Sequence, residues 1–215
     1  MIPIASSPAA DFDPAVESAR VAALRRGDRT ATDAFVREIY PRMLAAASTL
    51  VDHEHDAQDV AQDAVMGALT HLDQFRGDAR LSTWALRILV NTALMHRRRT
   101  RRRPFVSIHG LLPRFGGDGH HVRGRPTGAD ASMLELDAGV RRALVRRCVS
   151  RLPDPYRTVI VLRDMHGLGT SDTAFVMGIS TGAVKVRLHR ARAALRQLIE
   201  DESTIGLDAS GASGG

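Results

Sequence analysis

Apolar positions recur at helical spacing through most of the chain, and no segment shows the sustained alternation of a half-buried strand. Phe35, Ile39, Met43, Ala47 and Leu50 make one face, which predicts a helix that Pro41 either kinks or splits. Val60, Ala64, Val65, Ala68 and Leu72 make another, over about Glu54 to Asp73. Asp52 is placed to cap that helix, and Glu54 and Asp56 suit its positive end. Gly77 marks a turn, and Ser82 is a candidate cap for a third helix that carries Trp84, Ile88 and Leu89 into Arg97. From 104 to 134 the period is lost among prolines and glycines, as in a flexible linker of about thirty residues. It returns from Leu136 to Leu152, breaks at Pro153-Asp154-Pro155, and resumes through Met165 to the glycines at 167 and 169. Residues 1–17 and 203–215, rich in small and polar side chains, read as disordered ends. The expectation is an all-α chain: two small helical domains at 18–103 and 135–202, joined by the 104–134 linker.

The last periodic segment, Thr170 to Leu198, reads as a helix-turn-helix. Gly178 suits the left-handed residue that ends a helix, and Ser180 can cap the next one. Val184, Leu188, Ala191 and Leu195 follow at spacings of four, three and four, one buried face. The other faces carry Lys185, Arg187, Arg190, Arg192 and Arg196, with no acid between 180 and 198. A solvated helix usually mixes signs, so this single-signed one points to a polyanion.

Charge and composition narrow the partner. Net charge is +6 and the sequence pI about 10.7, which fits nucleic acid or an anionic surface. Aromatics are only 4% of the chain, so the cores must be aliphatic. The single Cys148 excludes an internal disulfide framework, and its apolar series (Val140, Leu144, Leu152) makes it a core residue. No apolar run approaches the roughly 20 residues a bilayer span needs, and Met1 to Pro14 lacks the pattern of a secretory leader. A soluble, cytoplasmic protein is expected, with no membrane insertion and no cofactor. His53, His55, His109, His120 and His121 lack the regular ligand spacing of a metal site, so no metal is expected either.

A second block carries chemistry. Between Phe75 and Asn91, aromatic rings, an amide and cations lie close together: a ring or apolar wall, hydrogen bonds to a base edge, and charge for the backbone are what hold an unstacked base. Trp84 serves equally well as core. Asn91 is the sharper candidate, because burying its amide unpaired is costly. The helix then ends in six arginines within seven residues, from Arg97 to Arg103, either a solvated tail or a phosphate grip.

Taken together, Asp56-Ala57-Gln58-Asp59-Val60-Ala61-Gln62-Asp63, then Phe75-Arg76-Gly77, Thr83-Trp84 through Asn91, and Leu152-Pro153 through Arg192 resemble a bacterial RNA polymerase sigma factor. The similarity is to the extracytoplasmic-function group, which keeps only sigma regions 2 and 4. It covers roughly 30–103 and 135–200, with the three motifs in order. The resemblance implies a promoter-specificity subunit, not itself an enzyme, which binds core RNA polymerase, reads two promoter elements and helps open one.

Residue by residue, the resemblance places Asp56, Asp59, Gln62 and Asp63 on the clamp helices of the largest polymerase subunit, with region 4 on the flap of the second-largest. Asp63 stands where the family more often has Glu. The resemblance gives Phe75, Ile88 and Asn91 to the pocket for a flipped minus-ten base. It gives Trp84 and Arg87 to strand separation and the nearby backbone, and Arg97 and Arg98 to phosphates. In the minus-thirty-five reader, Lys185, Val186, His189 and Arg190 share one outward arc and are the base-edge candidates. Thr181, Arg187 and Arg192 suit phosphates. Val186 stands where a small hydroxyl residue is frequent, and Ser171-Asp172 where two acids are. The linker balance of +1 argues against an acidic RNA mimic. An anti-sigma partner is a further implication. Two other readings stay open at this level: a dimeric helix-turn-helix regulator, and a metal-dependent nuclease built on Asp56, Asp59 and Asp63.

Overall fold

The computed structural model describes residues 13–100, 108, 111 and 137–202, and the backbone alone of 203–211. Eight α-helices appear among them, and no strand. The N-terminal four are α1 (Pro14–Arg25), α2 (Arg29–Leu50), α3 (Glu54–Thr70) and α4 (Leu81–Thr100). The C-terminal four are α5 (Ala138–Arg151), α6 (Asp154–Ile160), α7 (Thr170–Met177) and α8 (Thr181–Gly211). A π-helical turn, Val161–Met165, continues α6.

Carboxylates start several of these helices. Asp13, Asp28 and Asp137 accept from the amides of Ala15, Ala31 and Gly139 at 2.8, 3.0 and 2.7 Å, each satisfying an otherwise orphaned donor. Pro41 does not split the second helix: α2 runs through it, with Pro41 on the exposed side, where water can reach the carbonyl its missing N–H leaves behind. Helix α1 begins at Pro14, inside the stretch expected to be disordered, and α8 continues as backbone helix to Gly211, well beyond 202.

The N-terminal bundle is centred on α3, which packs between α2 and α4. Its buried face (Ala57, Val60, Ala61, Ala64, Val65 and Ala68) is mostly alanine, so its neighbours approach closely. A side chain at Gly67 would meet Ile88 Cγ2 at 3.4 Å. The C-terminal domain is built on α8, whose Val184, Leu188, Ala191, Ala194 and Leu198 are buried against α6 and α7. Glu202 accepts from both Arg147 and Arg151, tying α8 to α5. Cys148 is fully buried in this core, and that burial, with Glu202 nearby, pushes its thiol pKa up. Val140, grouped with it by spacing, is exposed instead.

The two domains pack on one another. α4 lies against α7, while α2 meets α5, α6 and the π-helical turn. Of the linker, Ile108 and Leu111 alone are described. Ile108 is buried in the common core, which pins the connection at that point; the rest of 104–134, with His109, His120 and His121, lies outside the described residues. No helix among the described residues is long and apolar enough to cross a membrane.

Candidate nucleic-acid interface

The helix-turn-helix forms as its turn chemistry requires. Gly178 closes α7 at φ 63°, a conformation glycine adopts without strain. Ser180 Oγ accepts from the Ala183 amide at 3.2 Å and starts α8. Lys185, Val186, His189 and Arg190 then stand exposed together on the side away from the core, and no ion pair among the described residues engages Lys185, Arg187 or Arg190. Arg192 is held differently: its guanidinium makes a two-pronged bond to Asp164, Nε to Oδ2 at 2.9 Å and the second prong to Oδ1. That pair also raises its pKa. A phosphate at this position would have to displace a carboxylate. Thr181 is exposed at the start of α8, and Arg187 is half-buried, facing α4.

In the N-terminal bundle the Phe75 and Trp84 rings meet edge to face, with centroids 5.5 Å apart. With Gln74, Arg76, Asp78 and Arg87 they line a pocket of about 180 Å³. Its remaining wall is Phe175, from α7 of the other domain. Asn91 does not open into this pocket. It lies one turn further along α4, lining a separate cavity of about 400 Å³ with Arg98, Asp154, Met177 and Arg187. Ile88 turns the other way, packing half-buried against Gly67 of α3. The sequence-derived trio of Phe75, Ile88 and Asn91 is therefore divided among three environments, and Ile88 lines neither cavity.

Arg97 departs furthest from expectation. It is not a phosphate-gripping arginine in this fold: it is 3% exposed, donates to the Leu50 carbonyl at 2.9 Å and pairs with Asp52 at 3.3 Å and Asp154 at 3.0 Å. A signal for this was present, since Leu86, Val90, Ala93 and Arg97 follow at four, three and four, in register with the buried stripe. Asp52, expected to cap α3, is the carboxylate in this network; His53 is the N-cap and bonds no amide. Ser82 likewise does not cap. α4 starts at Leu81, whose amide donates to Glu17 Oε1 of α1 at 2.6 Å.

That contact identifies two residues that sequence reasoning missed. Arg25, also on α1, donates to the carbonyls of Leu72 and Phe75 at 3.3 and 2.7 Å. Glu17 and Arg25 thus hold the two ends of the Phe75-to-Arg80 loop. Val21 and Leu24 are the buried apolar residues of α1, and Glu17 is in register with them.

On α3, Asp59, Gln62, Asp63 and Met66 form one exposed stripe, Met66 being 58% exposed. Asp56 is turned toward α4, where it pairs with His96 at 3.1 Å. No group of three or more His, Cys, Asp or Glu among the described residues is arranged to hold a metal.

A helix-turn-helix with an exposed cationic arc, a small aromatic pocket and an exposed acidic stripe in one chain fit a DNA-reading protein with a protein partner. Family models sharpen that class. Residues 35–103 match Sigma-70 region 2, and 142–195 match Sigma-70, region 4. The ECF RNA polymerase sigma factor SigM of Mycobacterium tuberculosis is 33% identical over 200 residues, 92% of this chain and 93% of that relative. The RNA polymerase sigma-H factor of Pseudomonas aeruginosa is 33% identical over 178 residues, 82% and 90% of the two chains. Among solved structures, CnrH in complex with the cytosolic domain of CnrY superposes with a TM-score of 0.62 at 27% identity, over 88% of this chain and 99% of that one. The chain belongs to the sigma-70 family, in its extracytoplasmic-function group. It is a promoter-recognising sigma subunit of RNA polymerase.

Proposed function

We propose a division of labour within that function. The α8 arc of Lys185, Val186, His189 and Arg190 reads base edges of the upstream element in the major groove, where Arg190 can bond a guanine at two points and Val186 can touch only an apolar group. Thr181 and Arg187 lie beside the arc as phosphate contacts. The Phe75–Trp84–Arg87 pocket and the neighbouring Asn91 amide hold unstacked bases of the downstream element, with Arg98 on the backbone. The α3 stripe of Asp59, Gln62, Asp63 and Met66 docks on a basic surface of core polymerase, with Asp56 at its edge. The chain brings no catalytic group of its own and works in the cytoplasm, where polymerase and promoters are.

One observation carries this reading: two separate cation-bearing elements, α4 and α8, each present groups suited to a base, one through a pocket and one through an exposed arc. The neighbour CnrH is seen bound to the cytosolic domain of CnrY, which supports a protein partner of that kind, an anti-sigma factor, for this chain. The test is transcription on genomic DNA with core polymerase, mapping starts with and without the chain. New starts sharing two spaced elements are expected. Tight binding to a palindromic duplex without core, and no new starts with it, would overturn the reading.

A further inference from the structure

One rim of the Phe75–Trp84 pocket is a loop without internal bonds. Arg76, Gly77, Asp78 and Ala79 make no hydrogen bond or ion pair among the described residues. Arg76 and Asp78 nevertheless line the pocket. A guanidinium offers only donors and a carboxylate only acceptors, so the two present opposite hydrogen-bonding character at the place assigned to a base. Selecting among bases with such groups requires that they be held to within about 0.5 Å by their surroundings.

The loop is held at its ends, and both ends are held by α1. Arg25 donates to the carbonyls of Leu72 and Phe75, closing the short 3-10 turn, Leu72–Gln74, that leads into the loop. At the other end the Leu81 amide donates to Glu17. Leu81 is the first residue of α4, so its amide has no partner within the helix, and the preceding Arg80 has no side-chain oxygen to cap it. A carboxylate there also suits the positive end of α4. Glu17 and Arg25 lie about 12 Å apart along a single helix, and the hydrogen bonds they make here are to backbone, so they set loop geometry whatever its side chains. α1 is in turn fixed to α2: Arg20 pairs with Glu38 at 2.6 Å and lies 5.4 Å over the Phe35 ring, beside the buried Val21 and Leu24. The clamp acts on the first turn of α4, about 24 Å along it from the interdomain joint at the last turn, where Arg97 and Arg157 of α6 share the Asp52 carboxylate. Changes at that distance are independent of the joint.

We propose that α1 is a positioning element for base selection. Glu17 and Arg25 fix the two ends of the Phe75-to-Arg80 loop, and thereby which base the pocket accepts. Neither residue touches the base; both act through Phe75, Arg76 and Asp78. This rests on the reading of the pocket as the holder of a downstream base.

The full-length chain is combined with core polymerase and a promoter library. The upstream element is held constant, as found in the starts the chain directs, and the downstream element is randomised. Sequenced transcripts give the base preference at each position. Glu17→Ala and Arg25→Ala are compared with the parent, and with Glu17→Gln, which keeps an acceptor oxygen. Both alanine variants are expected to lose about fivefold or more of the preference at one shared downstream position, with the others within about twofold of the parent. Glu17→Gln is expected to keep most of that preference. A fall in output that is uniform over the library, with every preference retained, overturns the proposal and leaves α1 a support of the bundle. Losses at different positions for the two variants overturn the shared clamp. If the alanine variants fail to fold by circular dichroism, Arg25→Lys is read by the same criteria, because it keeps the charge but not the planar fork that spans two carbonyls. A parent with no preference at any downstream position overturns the pocket as base reader, and the proposal with it.

Discussion

Asp52→Ala removes the one carboxylate that Arg97 and Arg157 share. Asp52 is itself 51% exposed, so a surface-pair estimate would put its loss at about 0.2–1 kcal/mol. The groups left behind decide otherwise. Arg97 and Arg157 are 3% and 1% exposed, and leaving a buried charge uncompensated costs about 3–5 kcal/mol. Arg97 keeps Asp154 and both arginines keep the Leu50 carbonyl, which moves the expectation to about 2–3 kcal/mol. For a chain of this length that is a fall in melting temperature of roughly 4–12 °C. Arg157→Met is the informative counterpart. It puts an apolar chain into a dry slot and leaves Asp52 half in water and still paired with Arg97, so about 1 kcal/mol or less is expected. Melting is followed by circular dichroism and by Trp84 fluorescence, and the two transitions should coincide if the joint couples the domains. An Arg157→Met chain that melts as low as Asp52→Ala refutes the argument, because the cost would then not follow the burial of the stranded group.

Other outcomes test the site directly. Asn91→Ala should impair promoter opening, read by permanganate reactivity, more than polymerase binding; equal losses count against its base contact. Arg190→Ala should relax discrimination at a single upstream base pair by ~1–3 kcal/mol, whereas a loss uniform over all sequences makes it a phosphate contact. Arg25→Ala frees the carbonyls of Leu72 and Phe75 and should weaken opening while leaving upstream duplex affinity unchanged; equal loss of both would mean that α1 merely holds the bundle together. His166 should make the fold acid-sensitive. Burial, then the charge of Arg42 on α2, lowers its pKa from 6.5, so in the window between the lowered value and 6.5 unfolding takes up a proton. Stability is then complete above pH 6.5 and lost as pH falls from there through the lowered value. His166→Gln should flatten the melting temperature between pH 7.5 and about 5.5 relative to the parent; an unchanged slope assigns the sensitivity elsewhere.

The helices were legible because their apolar positions keep one period for several turns, and the helix-turn-helix because Gly178 and Ser180 specify its turn locally. The exposed arc on α8 follows from the same periodicity, as the complement of Val184, Leu188 and Ala191. What local pattern does not encode is pairing across the chain. Asp52 is separated from Arg97 by 45 residues and from Arg157 by 105, and its position before α3 made a cap the natural expectation. Its carboxylate goes instead to the two guanidiniums, which have been taken out of water and need it more than a solvated amide does. Glu17 serves the start of α4 in place of Ser82 for a similar reason: the tertiary fold delivers a carboxylate, a stronger acceptor than a hydroxyl, to the first amide of the helix, that of Leu81.

A common rule joins these cases. Arg97 and Glu17 each occupy a place in a helical stripe whose other members are apolar and buried. A charge on such a stripe loses water, partly for Glu17 and almost wholly for Arg97, so a partner from another element answers it and helps fix where the element sits. Counting only apolar residues discards this information and assigns Arg97 to the solvated run that follows it. Keeping the charged residues in the count separates Arg97, which belongs to the joint, from Arg98, which faces the interdomain cavity. The distinction has a functional edge, because a single helix, α4, carries both the residues that would hold an opened strand and an arginine that holds the covering domain in place. A change at Arg97 therefore acts first on the packing of the C-terminal domain, and one at Arg98 on the cavity between the domains.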